Sequence, residues 1–459
     1  MAPSLRRLSG VATLLLLAVA VPLAPPASAA PTEEPVAAAA GWLARQMVEG
    51  QRFEDDFGDG MVYPDAGLTL DAVFAFAAAG AAGDNATAAL EWLATDPTAL
   101  TDYVGDEVSF SDAGGLAKVA YAAQVTGGDP NDVGGVDVLA RLNSLLTPSG
   151  RFSDTPAEFD RSNAFGQSFA MLALAGTPAG VPESTVAFLV ASQCPGGGFP
   201  LNYGQPTCTP DTDATAMVVQ ALALPDGDPA AAARGVDWLV SVQHADGSFS
   251  GTGTTATPNS NSTGLAAQAL RAAGRTAEAD AAGRFLLGLQ SLCAAPVEQR
   301  GAIAYDPSGF DPGNAERATA QAILGLSGIG FAELTLAGAE PSAPTLACAA
   351  EPTTSPTASP TASPTASPSG SPTSSPAPTT PAPSTVVPTT PAPTATLTAA
   401  PTTTVAPVVP VPPATSPASG IGVGSLPDTG ADVLPVLWAG VGLVLIGGVA
   451  TVVARRRTP

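Results

Sequence analysis

Along the first three quarters of the chain, apolar residues recur at helical spacing in paired stretches. In each first stretch they include an aromatic–leucine or Val-Leu step: Trp42-Leu43, Trp92-Leu93, Val138-Leu139, Phe188-Leu189, Trp238-Leu239 and Phe285-Leu286. A polar or Gly-rich turn follows. An Asp or Asn then opens a second, Ala-rich stretch at Asp65, Asp112, Asn163, Asp213, Asn261 and Asn314, at intervals of 47, 51, 50, 48 and 53 residues. Three of these stretches repeat a glutamine seven residues on, at Gln220, Gln268 and Gln321. One such hairpin leaves an apolar stripe uncovered, so each must pack on its neighbours. Six can curl and close, which predicts an all-α fold, an α/α toroid of six helical hairpins (twelve helices) over residues 31–350.

The fifth copy, residues 234–249, is the clearest: Arg234-Gly235, then Trp238-Leu239, Gln243, Gly247 and Phe249. It resembles the QW motif of squalene–hopene cyclases, with Phe249 where Trp is usual. The fourth copy keeps Phe188-Leu189, Gln193 and Phe199, and the sixth keeps Phe285-Leu286 and Gln290. The resemblance spans roughly residues 35–335 and extends to protein prenyltransferase β-subunits and the helical domain of cobalamin carriers. It implies a toroid whose repeats are tied together by Trp42, Trp92, Phe188, Trp238, Gln243, Phe249 and Phe285. It leaves the chemistry open.

The two ends differ in composition from this region. Residues 1–29 read as a secretory signal, with Arg6 and Arg7, an apolar run and Ala27-Ser28-Ala29 as the cleavage site. Residues 351–425 consist mostly of Pro, Thr, Ser and Ala without an aromatic, so no core can form there. An extended, disordered stalk is expected. Residues 426–459 hold Leu426-Pro427-Asp428-Thr429-Gly430, an apolar segment at 434–453, and Arg455-Arg456-Arg457. This order resembles the LPxTG sorting signal of Gram-positive surface proteins. The resemblance implies sortase as a partner, cleavage between Thr429 and Gly430, and a covalent link from Thr429 to peptidoglycan. The expected location is the cell wall, with a membrane-spanning helix in the precursor alone.

Charge narrows the partners. Between residues 31 and 350 there are 12 Arg plus Lys against 37 Asp plus Glu, and the single lysine is Lys118. Such a surface argues against nucleic acid. Four cysteines in an exported chain suggest two disulfides, for which three pairings exist. Cys194–Cys208, within the fourth repeat, and Cys293–Cys348, tying the last segment to the sixth, are favoured. A zinc site would need partners that are scarce, since His244 is the one histidine. No metal or cofactor is expected.

The Asp/Asn openers are first of all N-caps, short acceptors that satisfy free N–H groups at a helix start. Asp211-Thr212-Asp213-Ala214 resembles the Asp-x-Asp-Asp of the cyclases, where an Asp protonates an alkene, but Ala214 replaces the last acid. The acidic loop at 54–60, with Asp106-Glu107 in the second repeat, could instead offer paired carboxylates for glycan chemistry. No catalytic residue is assigned. The expectation is a non-catalytic ligand-binding or scaffolding module, with Phe165, Phe169, Asp211 and Asp213 lining a funnel for a small hydrophobic ligand. The alternative is an extracellular enzyme, cyclase-like or glycan-active.

Overall fold

The computed structural model describes residues 31–56 and 61–349. The expected signal at 1–29, stalk at 351–425, sorting motif Leu426–Gly430 and apolar segment at 434–453 lie outside the described residues.

The first hairpin joins α1 (Pro35–Gln46) through a short antiparallel ribbon, β1 (Phe53–Asp56) and β2 (Val62–Asp65), to α2 (Ala66–Ala79). The second pairs α3 (Gly83–Thr95) with α5 (Ala113–Val125) and carries the short α4 (Ala99–Val104) between them. Then come α6 (Val138–Ser144) with α7 (Ala164–Ala175), and α8 (Glu183–Ser192) with α9 (Thr212–Leu222). The last two are α10 (Pro229–Val242) with α11 (Ser260–Ala272), and α12 (Thr276–Gly288) with α13 (Pro312–Ser327). Among the described residues there are thus thirteen α-helices; α4 is one more than the repeat pattern predicts.

The second helix of each pair forms an inner wall. Each of α2, α5, α7, α9 and α11 packs on the next, α11 packs on α13, and α13 returns to α2, which closes the ring. The sequence explains the inner position. In α2 and α5 almost every residue is buried, and most are Ala, Leu, Val or Gly. A helix apolar all round can be covered only by neighbours on every side. In α1 and α12, polar and exposed positions alternate with the buried stripe, as suits an outer helix. Small residues let the inner helices touch. A Cβ at Gly264 would overlap the Gln321 carbonyl, so α11 and α13 meet backbone to backbone.

Glutamines at the ends of three outer helices bind the seams. The Gln193 amide donates to the Gly197 and Ala231 carbonyls at 2.7 and 2.9 Å. Gln243 does the same to Gly247 and Glu278 at 3.0 and 2.9 Å. Gln290 reaches Gly301 at 3.2 Å and, across the closure, Pro35 at 2.8 Å. Each amide therefore joins its own loop to the first turn of the next outer helix. Trp42 and Trp92 are buried beside this layer, Trp238 and Phe285 are half-buried, and Phe249 is fully buried with its N–H on Thr263 Oγ1 at 2.9 Å. Both favoured disulfides are present, Cys194–Cys208 and Cys293–Cys348, with Cα atoms 5.5 and 5.6 Å apart.

The helix starts correct three expected positions. Asp65, Asp112 and Asn163 cap α2, α5 and α7 as expected, through bonds to Leu68, Gly115, and Phe165 and Gly166 N–H. In the last three repeats the cap lies upstream, at Asp211, Asn259 and Asp311. Asp213, Asn261 and Asn314 sit inside the first turn instead. All are short acceptors close together in sequence, and pattern alone does not say which one bends out of the helix.

Candidate functional site

The N-terminal ends of the inner helices share one end of the ring, the mouth. At the other end, the floor, a strap closes the centre. After α13, Gly328 adopts the left-handed conformation (φ 75°) that ends a helix and turns the chain across the ring. Phe331 then packs edge-on against Phe74, Tyr121 and Phe169, with centroids 6.0, 6.1 and 5.7 Å away. Phe74 and Phe169 stack at 5.5 Å although α5 stands between their helices. Rings from non-neighbouring helices touch, so side chains fill the centre at this level.

The strap is also hydrogen-bonded. Phe331 N–H donates to Gln220 Oε1 at 3.0 Å, Gln268 Nε2 donates to the Ile329 carbonyl at 2.9 Å, and Gln220 Nε2 donates to Gln268 Oε1 at 3.3 Å. The Tyr121 hydroxyl donates to the Phe331 carbonyl. Beyond it the chain runs past the ends of α5 and α2 and pairs with Thr32 before the bond to Cys293. The repeated glutamines are visible in sequence. Their partner, a strap beyond the last repeat, carries no pattern that announces it.

Above the floor lies a charged layer. Lys118 is 1 % exposed; its Nζ sits 2.6 Å from Asp71 Oδ1 and donates to the Gly67 carbonyl at 2.9 Å. It also lies 5.8 Å from the centre of the Phe169 ring. Arg317 from α13 bridges Asp65 and Asp71 at 2.9 and 3.3 Å. Burial of a lysine is tolerated when a carboxylate and a carbonyl replace its water. A lone lysine in an Ala-rich inner helix is a signal the sequence did contain.

The four candidate lining residues divide between these layers. Phe169 belongs to the floor cluster, and Phe165, in the first turn of α7, is buried. Asp211 and Asp213 stand together at the start of α9. Asp211 accepts from Ala214 N–H at 2.9 Å and from Thr252 Oγ1 at 2.6 Å, so both its oxygens are engaged. Asp213 is 2 % exposed, and its Oδ1 has no hydrogen-bond partner among the described residues. Burial, then the neighbouring charge of Asp211, push its carboxyl up to about 8, against a bond from Ser262 that favours the charged form. Asn261 Oδ1 and Ser260 Oγ, in the first turn of α11, are also buried without partners among the described residues.

Two other acids at this end, Asp112 and Asp154, have structural partners. Burial and then Asp154 push Asp112 up to about 7, while Asp154 accepts from Ala113 and Arg161 N–H at 2.9 and 2.8 Å. Glu316 is pushed up to about 7, first by burial and then by Asp55 and Asp65. Of the carboxylates suggested for glycan chemistry, Asp106, Glu54 and Glu107 are turn or ion-pair residues, and Asp59 lies outside the described residues. Asp106 is held down to about 2 by bonds from Ser109, Phe110 and Val108. Glu54 pairs with Arg52 at 2.7 Å and Glu107 with Arg141 at 3.6 Å. His244 Nε2 meets Ser250 Oγ at 3.1 Å. No group of three or more His, Cys, Asp or Glu among the described residues is placed to hold a metal ion.

Two hollows open at the mouth beside the loop at 200–209, which the Cys194–Cys208 bond closes. One, about 280 Å³, lies between that loop and α8, against Phe188 and Tyr203. The other, about 380 Å³, reaches Asp211 and Thr252. Pro200, Asn202, Gln205 and Thr207 border both.

No protein-family model matches the chain, and no curated protein matches it. Solved structures similar to it include a protein from Actinoplanes, at 18% identity over 64% of this chain and 98% of that one, with a TM-score of 0.48. The apo type II terpene cyclase MstE from Scytonema is 15% identical over 64% of this chain and 96% of its own, with a TM-score of 0.49. The ent-copalyl diphosphate synthase from Streptomyces platensis is 21% identical over 56% and 50%, with a TM-score of 0.37. The fold described above stands on the ring contacts themselves: an all-α toroid whose floor is plugged by Phe331 and its aromatic neighbours.

Proposed function

We propose that the toroid is a non-catalytic binding module that meets its ligand at the mouth, carried on the outer face of a Gram-positive cell. The observation that carries this reading is the floor: Phe331 with Phe74, Tyr121 and Phe169 occupies the volume a chain-folding cyclase would need. A hydrophobic ligand reaching the floor of the central funnel would have to displace Phe331. The hollows around residues 200–209 need no such displacement. Incubation of the full chain with squalene and with geranylgeranyl diphosphate tests the reading. Recovery of both unchanged is expected; a cyclised product that disappears in Asp213→Asn would overturn it.

One observation favours the second reading, a proton-donating enzyme. Asp213 is a buried carboxyl pushed up to about 8, with an oxygen that has no partner among the described residues. The same incubation separates the two.

The display half of the proposal rests on the sorting sequence at 426–430, the apolar segment at 434–453 and the three arginines that follow. Sortase is the proposed processing partner and peptidoglycan the proposed attachment, through Thr429. Thr429→Ala is expected to move the protein from the muramidase-released wall fraction to the membrane fraction or the medium. Unchanged wall attachment would rule the assignment out.

A further inference from the structure

Resting on the reading of the toroid as a binding module, we propose that the disulfide-closed loop at 200–209 forms a binding site for a neutral saccharide, with one sugar unit in each of the two hollows beside it. The argument begins with charge. The chain carries a formal net charge of −23. Yet among the described side chains lining the two hollows, Asp211 is the sole acid and there is no Lys or Arg. Both Asp211 oxygens are already taken, by Ala214 N–H and Thr252 Oγ1. What faces the ligand is amide and hydroxyl: Asn202, Gln205 and Thr207 are exposed and shared by both hollows. Such groups both donate and accept, which matches the paired hydroxyls of an uncharged sugar and offers no counterion to an acidic one.

The aromatic side of the first hollow adds an apolar wall. Tyr203 and Phe188 meet edge to face, with centroids 4.8 Å apart. Behind Tyr203, the Arg151 guanidinium lies 5.3 Å from the ring centre. That arginine is fixed by Asp160 at 3.1 Å and by Ser162 Oγ and carbonyl at 2.9 and 2.8 Å. The ring is therefore oriented before any ligand arrives, which lowers the ordering cost of binding. The Tyr203 hydroxyl is buried and has no partner among the described residues. The part of Tyr203 that can meet a sugar is therefore its ring. Cys194–Cys208 and the bond from Ala164 N–H to the Leu201 carbonyl, 3.0 Å long, hold the loop at both ends.

The test is calorimetric titration of the full chain with cellohexaose, mannohexaose and maltohexaose, with a polygalacturonate hexamer as the charged control. Saturable binding of at least one neutral hexamer, and none of the charged one, is expected. Tyr203→Phe keeps the ring and removes a hydroxyl buried away from the hollow, so it should change that binding less than about threefold. Asn202→Ala with Gln205→Ala, both exposed and harmless to folding, should weaken it by more than about tenfold. Absence of binding by every neutral hexamer, equal binding of the charged one, or unchanged affinity in the double variant would each overturn the site. The parent reading fails differently. If a hexamer binds and is recovered shortened, the saccharide site stands and the non-catalytic reading falls. If no hexamer binds but the hydrophobic dye Nile red is retained, the saccharide site falls and the binding module stands.

Discussion

The inner wall is built from two unlike arcs. Along α2, α5 and α7 the residues that reach the centre are Phe74, Tyr121 and Phe169; along α9 and α11 they are Gln220 and Gln268. Four of these five, all but Phe169, stand nine residues past their helix caps. Aromatic rings fill volume and ask for few partners. A buried amide fills less and demands both a donor and an acceptor. The strap answers both arcs at once, placing the Phe331 ring among the aromatics and its backbone N–H on Gln220. Equivalent positions in a repeat can thus carry opposite chemistry, provided one added segment complements both.

Removal of the ring side of that complement should have the largest effect. Phe331→Ala would leave a cavity among three buried rings, at a cost of about 3–5 kcal/mol, read from the urea midpoint. A loss below about 1 kcal/mol would mean that the rings close on themselves and the strap is incidental. Next comes the charge above the aromatic arc. Lys118→Met strips Asp71 of its 2.6 Å partner but leaves it Arg317 at 3.3 Å. A cost of about 3 kcal/mol is expected, at the low end for breaking a buried pair. A neutral result would show that Arg317 alone satisfies Asp71.

The amide arc should respond more weakly. Gln268→Ala leaves the Ile329 carbonyl and one Gln220 proton without their partners, for about 1–3 kcal/mol by thermal melting. If it costs as much as Phe331→Ala, the two arcs do not differ in the way their chemistry suggests.

The ring and its period were readable because they are written six times, and an aromatic–leucine step followed by a capped Ala-rich helix survives the loss of any single copy. The caps of the first three repeats were readable for the same reason. The shift from Asp213 to Asp211, and from Asn261 to Asn259, was not, since Asp-Thr-Asp and Asn-Ser-Asn each offer two acceptors to one helix start. The candidate site was legible in its acids and hidden in its floor. Phe331 lies outside the repeats, and a phenylalanine in a short turn looks the same in sequence whether it plugs a ring or faces solvent. Asn202 and Tyr203 were equally silent. Their role depends on a loop path that the Cys194–Cys208 bond fixes and the sequence between the cysteines does not.

The finest difference between the arcs is in proton binding, and Asp213 isolates it. Burial and then the neighbouring charge of Asp211 push its carboxyl up to about 8, from 3.8 for an ordinary aspartate. Between those values the folded chain keeps a proton that the unfolded chain has lost, so stability present at pH 4 declines as pH rises through about 8. Asp112 and Glu316, both near 7, impose the same downward slope but stop contributing earlier. In the interval from about pH 7 to 8 Asp213 is the largest of the three contributors, with Asp211, Ser262 and Tyr305 the polar groups it interacts with. Asp213→Asn should lose about 1 kcal/mol less than wild-type protein across that interval while keeping the slope at lower pH. Equilibrium urea unfolding at pH 5, 7 and 8 measures both. Parallel curves for the two proteins would mean that Asp213 is ionised in the fold at neutral pH, which would also remove the ground for treating it as a proton donor.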